Sequence, residues 1–244
     1  MTGVLITCLL KLFPTACRYK IDQISRPRFF NMNSNPIFVL ASSSPTRKKI
    51  LENAGIQPIV RVSNFDEDAI QVYDPIALVL TLAQCKARVV LPVVSQQFAG
   101  QNALIIGCDS IMYLNGMIYG KPDSKQIAIA TWQKMRGNYC EIYTGHCLID
   151  TKTQRTIIRY GVTKVYFADV TDAEIDSYAE SGEPLCCAGC FTLEKLGGLL
   201  VEKIEGCHTN VLGLSLPILR QMLKELNYGI QFSANGTAIA ELNK

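Results

Sequence analysis

The sequence predicts an α/β domain, of the α+β kind with a mixed sheet. Three observations carry this reading. From Pro36 onward, short apolar runs alternate with longer segments opened by Ser, Thr or Asp caps. Asn115-Gly116 separates two apolar runs, which is the strongest short signal for a hairpin. Two long segments, 139–149 and 155–167, read as paired strands around a polar turn, and that pairing argues against a purely parallel sheet.

The elements follow in order. Ile37-Phe38-Val39-Leu40-Ala41 is a short buried strand. Ser44 caps a helix that has Pro45 at its first position, Ile50, Leu51 and Ala54 on its apolar face, and Gly55 at its end. Residues 57–62 form a second strand. Asp74-Pro75 opens a second helix that is expected to run to about Leu91. Leu104-Ile105-Ile106-Gly107 is a buried strand, after which Asp109 is expected to start a turn. The hairpin 111–114/117–119 follows, then a helix over 123–135 that stops near Gly137. Thr171 and Glu174 form a capping box for a helix ending near Gly182. Residues 199–204 read as a late strand and 215–226 as a last helix. The tail, 229–244, is polar and rich in small residues and is expected to be loosely ordered.

Composition narrows the function classes. With 244 residues, 48% hydrophobic and 18% charged, the chain has apolar material for a large core, so a wholly disordered protein is excluded. A net charge of +3, with no basic run, argues against a nucleic-acid surface. No run of 18 apolar residues occurs, so no membrane partner is expected. Residues 1–35 hold an apolar stretch, Val4 to Leu10, with no positive charge before it and no small-residue cleavage site after it. They are expected to be a poorly ordered extension of a cytoplasmic protein whose core domain spans 36–228. The ten cysteines follow no framework spacing and are expected to be reduced and mostly buried. Cys187-x-x-Cys190, with Cys207 and His208 downstream, leaves zinc or redox chemistry as a lesser alternative, because a second ligand pair is missing.

The chemistry concentrates at element ends. Ser42-Ser43-Ser44-Pro45-Thr46-Arg47 joins a strand to a helix start, where free N–H groups, hydroxyls and Arg47 suit an anion such as phosphate. Asp109 closes an apolar strand, where α/β proteins bind ligands. Gly120-Lys121-Pro122 holds a stiffly placed lysine, Glu67 lies in an acidic loop, and Lys86 lies within the second helix. Carboxylates mixed with lysines suit a divalent cation bridged to a phosphate chain.

Together these residues resemble the Maf nucleoside triphosphate pyrophosphatases. The resemblance runs through Leu40-Ala41-Ser42-Ser43-Ser44-Pro45-x-Arg47, Asp66-Glu67, Leu82-Ala83-x-x-Lys86-Ala87 and Ile106-Gly107-x-Asp109. It continues through Gly120-Lys121-Pro122, Tyr143-Thr144-Gly145, Gly182-Glu183-Pro184 and Val201-Glu202-x-Ile204-Glu205-Gly206, closing at Asn210-Val211-x-Gly213-Leu214. It implies a two-lobed fold with a central cleft, similar to inosine triphosphatases, and cleavage between the α- and β-phosphates of a nucleoside triphosphate. By the same resemblance Asp109 activates water, and Ser42, Ser44, Arg47, Lys86 and Lys121 hold the triphosphate. Glu67 and Asp109 would serve a divalent cation, Mg²⁺ or Mn²⁺, with their division of metal and base duties open. A homodimer is left open as the assembly.

Three positions bear on the base. Glu194, within Cys190-Phe191-Thr192-Leu193-Glu194, resembles the 7-methyl-GTP branch, which has Glu where the dTTP/UTP branch has Gln. Thr46 and Ser110 stand where that branch usually has Trp and Gln. The dTTP/UTP activity is the alternative within the family, and a nucleotide-binding protein without turnover is the alternative outside enzymes.

Overall fold

The computed structural model describes residues 35–233 and 236–242. All but Asn35 of the expected N-terminal extension lies outside the described residues. A seven-stranded mixed sheet organises the domain. Its strands are β1 (Ile37–Leu40), β2 (Ile59–Val60), β3 (Ala103–Leu114), β4 (Met117–Tyr119), β5 (Tyr139–Asp150), β6 (Thr156–Phe167) and β7 (Val201–Glu205). Along the sheet the order is β2-β1-β3-β5-β6-β7, with β4 also paired to β3. The β1 strand is parallel to β2 and β3, and every other pair is antiparallel.

Helices cover both faces. They are α1 (Pro45–Asn53), α2 (Pro75–Gln97), α3 (Lys125–Met135), α4 (Asp172–Glu180), α5 (His208–Val211) and α6 (Leu216–Glu225). Side chains along a strand alternate between faces. Ala103 and Ile105 of β3 therefore pack with Ala83, Ala87 and Val90 of α2. Leu104, Ile106 and Cys108 pack on the other face with Ile50 and Leu51 of α1 and Leu219, Met222 and Leu223 of α6. The far halves of β3, β5 and β6 carry a separate core built on Trp132, Phe167, Tyr178 and Phe191. One sheet thus spans two hydrophobic lobes, and β3 runs from one into the other.

The structure corrects several expected boundaries. The second helix continues past Pro92 to Gln97. One missing N–H does not end it, because Val94 beyond the proline is fully buried against the sheet. This helix is long and apolar enough to cross a membrane, but Val79, Leu82, Ala83, Ala87 and Val90 bury one face of it in the core. The segments 104–107 and 111–114 are one strand, because β5 pairs with β3 residue for residue from Leu104 to Tyr113. Asp109 is therefore a mid-strand residue rather than the start of a turn. The second strand shrinks to Ile59–Val60, and residues 196–200 form a 3₁₀ turn before β7.

The tail is also corrected. Residues 228–233 and 236–241 form an antiparallel hairpin, β8 (Tyr228–Ser233) and β9 (Gly236–Glu241). Tyr228 and Ile239 are buried in the α1/α6 core, and Thr237 N–H donates to Gly55 O at 3.1 Å. Apolar anchors at only a few positions order a segment whose composition reads as polar.

Candidate active-site crevice

A gap in one edge of β3 makes the site. The β1 strand ends its pairing at Leu40 opposite Ile106, and β4 begins pairing at Met112 opposite Tyr119. Between them the 107–111 edge of β3 has no strand beside it among the described residues. Such a break in strand order is where open α/β sheets bind ligands. Asp109 faces the α2 side of this gap and Ser110 faces the α1 side, so two sets of residues meet at one opening.

On the α2 side, two glycines set the distance. A Cβ on Gly107 would lie 2.3 Å from Ala83 O, and one on Gly145 would lie 2.1 Å from Val79 O. The helix backbone therefore rests directly on β3 and β5. That approach brings Lys86 Nζ to 2.6 Å from Asp109 Oδ1, with Glu67 Oε1 at 2.8 Å on the same ammonium. Lys86 and Asp109 are buried, while Glu67 reaches in from an exposed 3₁₀ turn. Burial raises the Asp109 carboxyl above the usual carboxylate range, against the pull of the Lys86 and Arg47 charges.

On the α1 side, Ser44 caps the helix by accepting from Arg47 N–H at 3.3 Å. Arg47 then folds back over the opening. Its Nε donates to Gly213 O at 2.8 Å, Nη1 to Ser42 Oγ at 3.2 Å and Nη2 to Ser110 Oγ at 3.1 Å. Gly213 takes a positive φ of 101°, and a Cβ there would lie 2.9 Å from Arg47 Nε. Ser42 Oγ also accepts from Ser44 N–H at 3.2 Å. With N–H groups on their acceptor sides, both serine hydroxyls keep their own O–H to donate, which suits a phosphate oxygen.

A buried relay behind Arg47 carries little trace in residue type alone. Ser110 Oγ meets Thr144 Oγ1 at 2.9 Å, and Thr144 Oγ1 donates to Asn210 O at 2.8 Å. Asn210 Nδ2 in turn donates to Ile142 O and Thr163 Oγ1. His146, also buried, accepts from Ser215 N–H through Nε2 at 2.8 Å at the start of α6. Thr144 and Asn210 fall inside the recognised motifs, but only the fold shows that they connect.

The sequence-expected residues divide into three places. Ser42, Ser44, Arg47, Glu67, Lys86, Asp109 and Ser110 meet at the gap. Lys121 is exposed beyond β4, on a segment held by Gly189 N–H donating to Gly120 O at 3.1 Å. Glu194 opens on a neighbouring cleft of about 370 Å³, lined also by Ile50, Asn53, Leu193, His208 and Leu212. Thr46 sits one and two helical turns before Ile50 and Asn53, so it shares their face of α1. Ser110 belongs to the Arg47 lock and not to the residues lining that cleft.

The cysteine alternative gains nothing from the geometry. Cys187 and Cys190 end one tight turn, closed by Cys190 N–H on Cys187 O at 3.2 Å, while His208 lines the Glu194 cleft. Among the described residues no three His, Cys, Asp or Glu side chains gather as a metal group, and every described cysteine is a free thiol.

Fold and crevice together define an α/β protein whose sheet gap holds a buried carboxylate among cationic groups suited to phosphate. The chain belongs to the Maf family: residues 37–226 match the family described as Maf-like protein. It is 59% identical over 193 residues to a nucleoside triphosphate pyrophosphatase of Gloeothece citriformis, covering 79% of this chain and 95% of that one. Proteins of the same name from Nostoc punctiforme and Synechocystis are 55% and 53% identical, covering 80% of this chain and 96% and 97% of theirs.

Proposed function

We propose that this chain hydrolyses nucleoside triphosphates between the α- and β-phosphates, releasing a nucleoside monophosphate and pyrophosphate. The observation that carries the proposal is the Asp109 carboxylate, buried at the gap in β3, paired with Lys86 and within the field of Arg47, which is held on the neighbouring Ser110. Family membership and the relatives' printed names support the same reading.

In this reading, Arg47, Lys86 and Lys121 offset the charge of the triphosphate, and the Ser42 and Ser44 hydroxyls donate to its oxygens. Asp109 Oδ accepts the proton of the water that attacks the α-phosphorus. Burial raises the basicity of this carboxylate, while the Lys86 and Arg47 charges favour its ionised form. Water oxygen ends on the nucleoside monophosphate, and the bridging oxygen leaves with pyrophosphate.

The donor set fits a divalent cation of the Mg²⁺ or Mn²⁺ kind. Such ions are commonly held by one or two carboxylates plus substrate phosphates, and Asp109 and Glu67 converge on one ammonium. When bound, the cation would neutralise phosphate charge and polarise the reacting oxygen.

For the base, 7-methyl-GTP is favoured by the resemblance at Glu194, which opens on the cleft beside α1. Glu194 can accept from both N1–H and the N2 amine of guanine, and methylation makes that ring cationic. The test is a panel of GTP, 7-methyl-GTP, dTTP and UTP, with monophosphate and pyrophosphate both quantified. The expected result is pyrophosphate in equal amount to monophosphate, with 7-methyl-GTP preferred. Glu194→Gln should narrow that preference about fivefold to tenfold, the scale of one charge-assisted hydrogen bond. Diphosphate plus orthophosphate as products would overturn the bond assignment. A dTTP or UTP preference unchanged by Glu194→Gln would overturn the base assignment alone.

A further inference from the structure

Glu183 lies outside the crevice, yet its carboxylate collects four hydrogen bonds. Oε1 accepts from Tyr178 Oη at 2.9 Å, Thr192 Oγ1 at 2.5 Å and Gly197 N–H at 2.9 Å. Oε2 accepts from Leu196 N–H at 3.3 Å. Three of these donors lie on the segment 192–197, which carries Glu194 at its exposed tip.

The residues just before that segment are anchored separately. Cys190 O accepts from the buried Trp132 indole at 2.8 Å, and Phe191 packs edge-on to Phe167 at 5.0 Å. Beyond Phe191, the Glu183 carboxylate gathers residue 192 and residues 196–197 to one point. Leu193, Glu194 and Lys195 are left as a short bridge between two held ends. Leu193 and Glu194 of that bridge line the cleft. Space at the clamp is tight as well, since a Cβ on Gly197 would lie 2.5 Å from Tyr178 Oη.

We propose that Glu183 is a positioning residue for base selection: it fixes the 192–197 segment so that Leu193 and Glu194 face the cleft at a set depth. The proposal rests on the nucleotide reading above. An acceptor is required at this point because backbone N–H groups of Leu196 and Gly197 can only donate. Glutamine at 183 keeps one carbonyl oxygen for the three donors now on Oε1 and gives up only the longer Leu196 bond, where its NH2 would face an N–H. Alanine leaves every donor without its partner. A role confined to stabilising α4 through Tyr178 makes a different forecast, so Thr192→Val, which removes a donor of the segment and leaves the Tyr178 bond in place, separates the two.

The experiment measures kcat/KM for 7-methyl-GTP, GTP and UTP, together with amide hydrogen exchange over 193–197, in the full chain. Glu183→Ala should collapse the ratio between best and worst substrate at least about fivefold, mainly through KM. Its 193–197 amides should exchange at least about tenfold faster. Glu183→Gln should restore the ratio to within about twofold of wild type, and Thr192→Val should shift it about twofold to threefold. Tyr178→Phe, which removes one clamp donor and leaves Thr192, Leu196 and Gly197 on Glu183, should lower Tm and shift the ratio no more than Thr192→Val does. An unchanged ratio in Glu183→Ala with faster exchange overturns base positioning, and unchanged exchange overturns the clamp itself. Where Glu183→Ala does not fold, an unchanged ratio in Thr192→Val overturns the proposal. Absence of pyrophosphate from every triphosphate in wild type overturns the nucleotide reading and base selection with it, while amide exchange still decides the clamp.

Discussion

Lys86 Nζ stands 2.6 Å from Asp109 Oδ1, and both groups are buried. A buried ion pair contributes little net stability, because desolvation offsets most of the attraction. Its value here is positional. The pair places a carboxylate and a cation at the stretch of the β3 edge that no strand covers among the described residues. Glu67, half-exposed on the same ammonium, keeps Lys86 paired when Asp109 is altered.

Asp109→Asn should therefore fold and lose turnover. The amide cannot take up the proton of the attacking water, so kcat should fall at least about a hundredfold. Stability should stay within about 2 kcal/mol of wild type, since Lys86 retains Glu67 and no charge is left buried alone. Pyrophosphate release and urea unfolding of the same preparation check both halves. Turnover near wild type would remove Asp109 from the chemistry.

Gly145→Ala should damage fold and activity together. The added methyl meets Val79 O at 2.1 Å, and helix backbone cannot step aside as a side chain can. Overpacking of this kind costs about 1–3 kcal/mol. It should also lift α2 off β5 and withdraw Lys86 from Asp109. Gly116→Ala, in the β3–β4 turn at a φ of 82° with open space around it, is the control for a destabilising alanine that does not move α2. It should lower Tm and leave KM unchanged, whereas Gly145→Ala should raise KM as well. Thermal unfolding and steady-state kinetics decide between these outcomes.

Much of the fold was legible because it rests on local signals. The caps at Ser44, Asp74 and Thr171 each accept a backbone N–H as their residue types foretell. The Asn115-Gly116 turn takes the two positive φ angles that a tight hairpin needs. Errors arose where distant packing outweighed a local rule. Pro92 reads as a helix end, yet the burial of Val94 carries α2 through it. Asp109 reads as a turn residue, yet pairing with Gly145 keeps it in a strand. In the crevice, the charged residues were legible from motif and position. The lock on Arg47 was not, because it joins Ser110, Thr144, Asn210 and Gly213 across separate elements through backbone carbonyls as well as side chains. Neither was the Glu183 clamp, whose donors lie up to fourteen residues away.

Ser110→Ala tests that lock. Removing the hydroxyl takes one acceptor from Arg47 and one neighbour from Thr144, and leaves the Gly213 and Ser42 contacts in place. The guanidinium should lose orientation rather than charge. The expected result is a KM raised about threefold to tenfold with kcat changed less, the signature of weakened ground-state binding. Base preference should not move, because Ser110 does not line the Glu194 cleft. A changed ratio between 7-methyl-GTP and UTP would show that Ser110 acts on base specificity.

His146 gives the stability a defined acid limb. Burial lowers its pKa to about 3, and the Arg47 charge pushes it the same way. Its Nε2 accepts from Ser215 N–H at 2.8 Å, so the folded state requires the neutral ring. The unfolded chain takes up a proton near pH 6.5, the ordinary histidine value, while the folded chain does not. Between about pH 6.5 and pH 3 the unfolded state therefore binds more protons, and stability falls as pH falls. The contribution is fully present above about pH 6.5, and roughly 2 kcal/mol of it is lost on going down to about pH 5. Asp109, whose pKa is raised by burial, acts with the opposite sign, so it must be held constant in the comparison. His146→Gln does so: glutamine can offer a carbonyl oxygen to Ser215 N–H and does not titrate. The variant should be less stable than wild type at neutral pH through imperfect packing, and its urea midpoint should change less with pH over the acid range. Parallel midpoint-against-pH curves for the two proteins would show that His146 titrates alike in both states and that the buried ring contributes nothing to acid sensitivity.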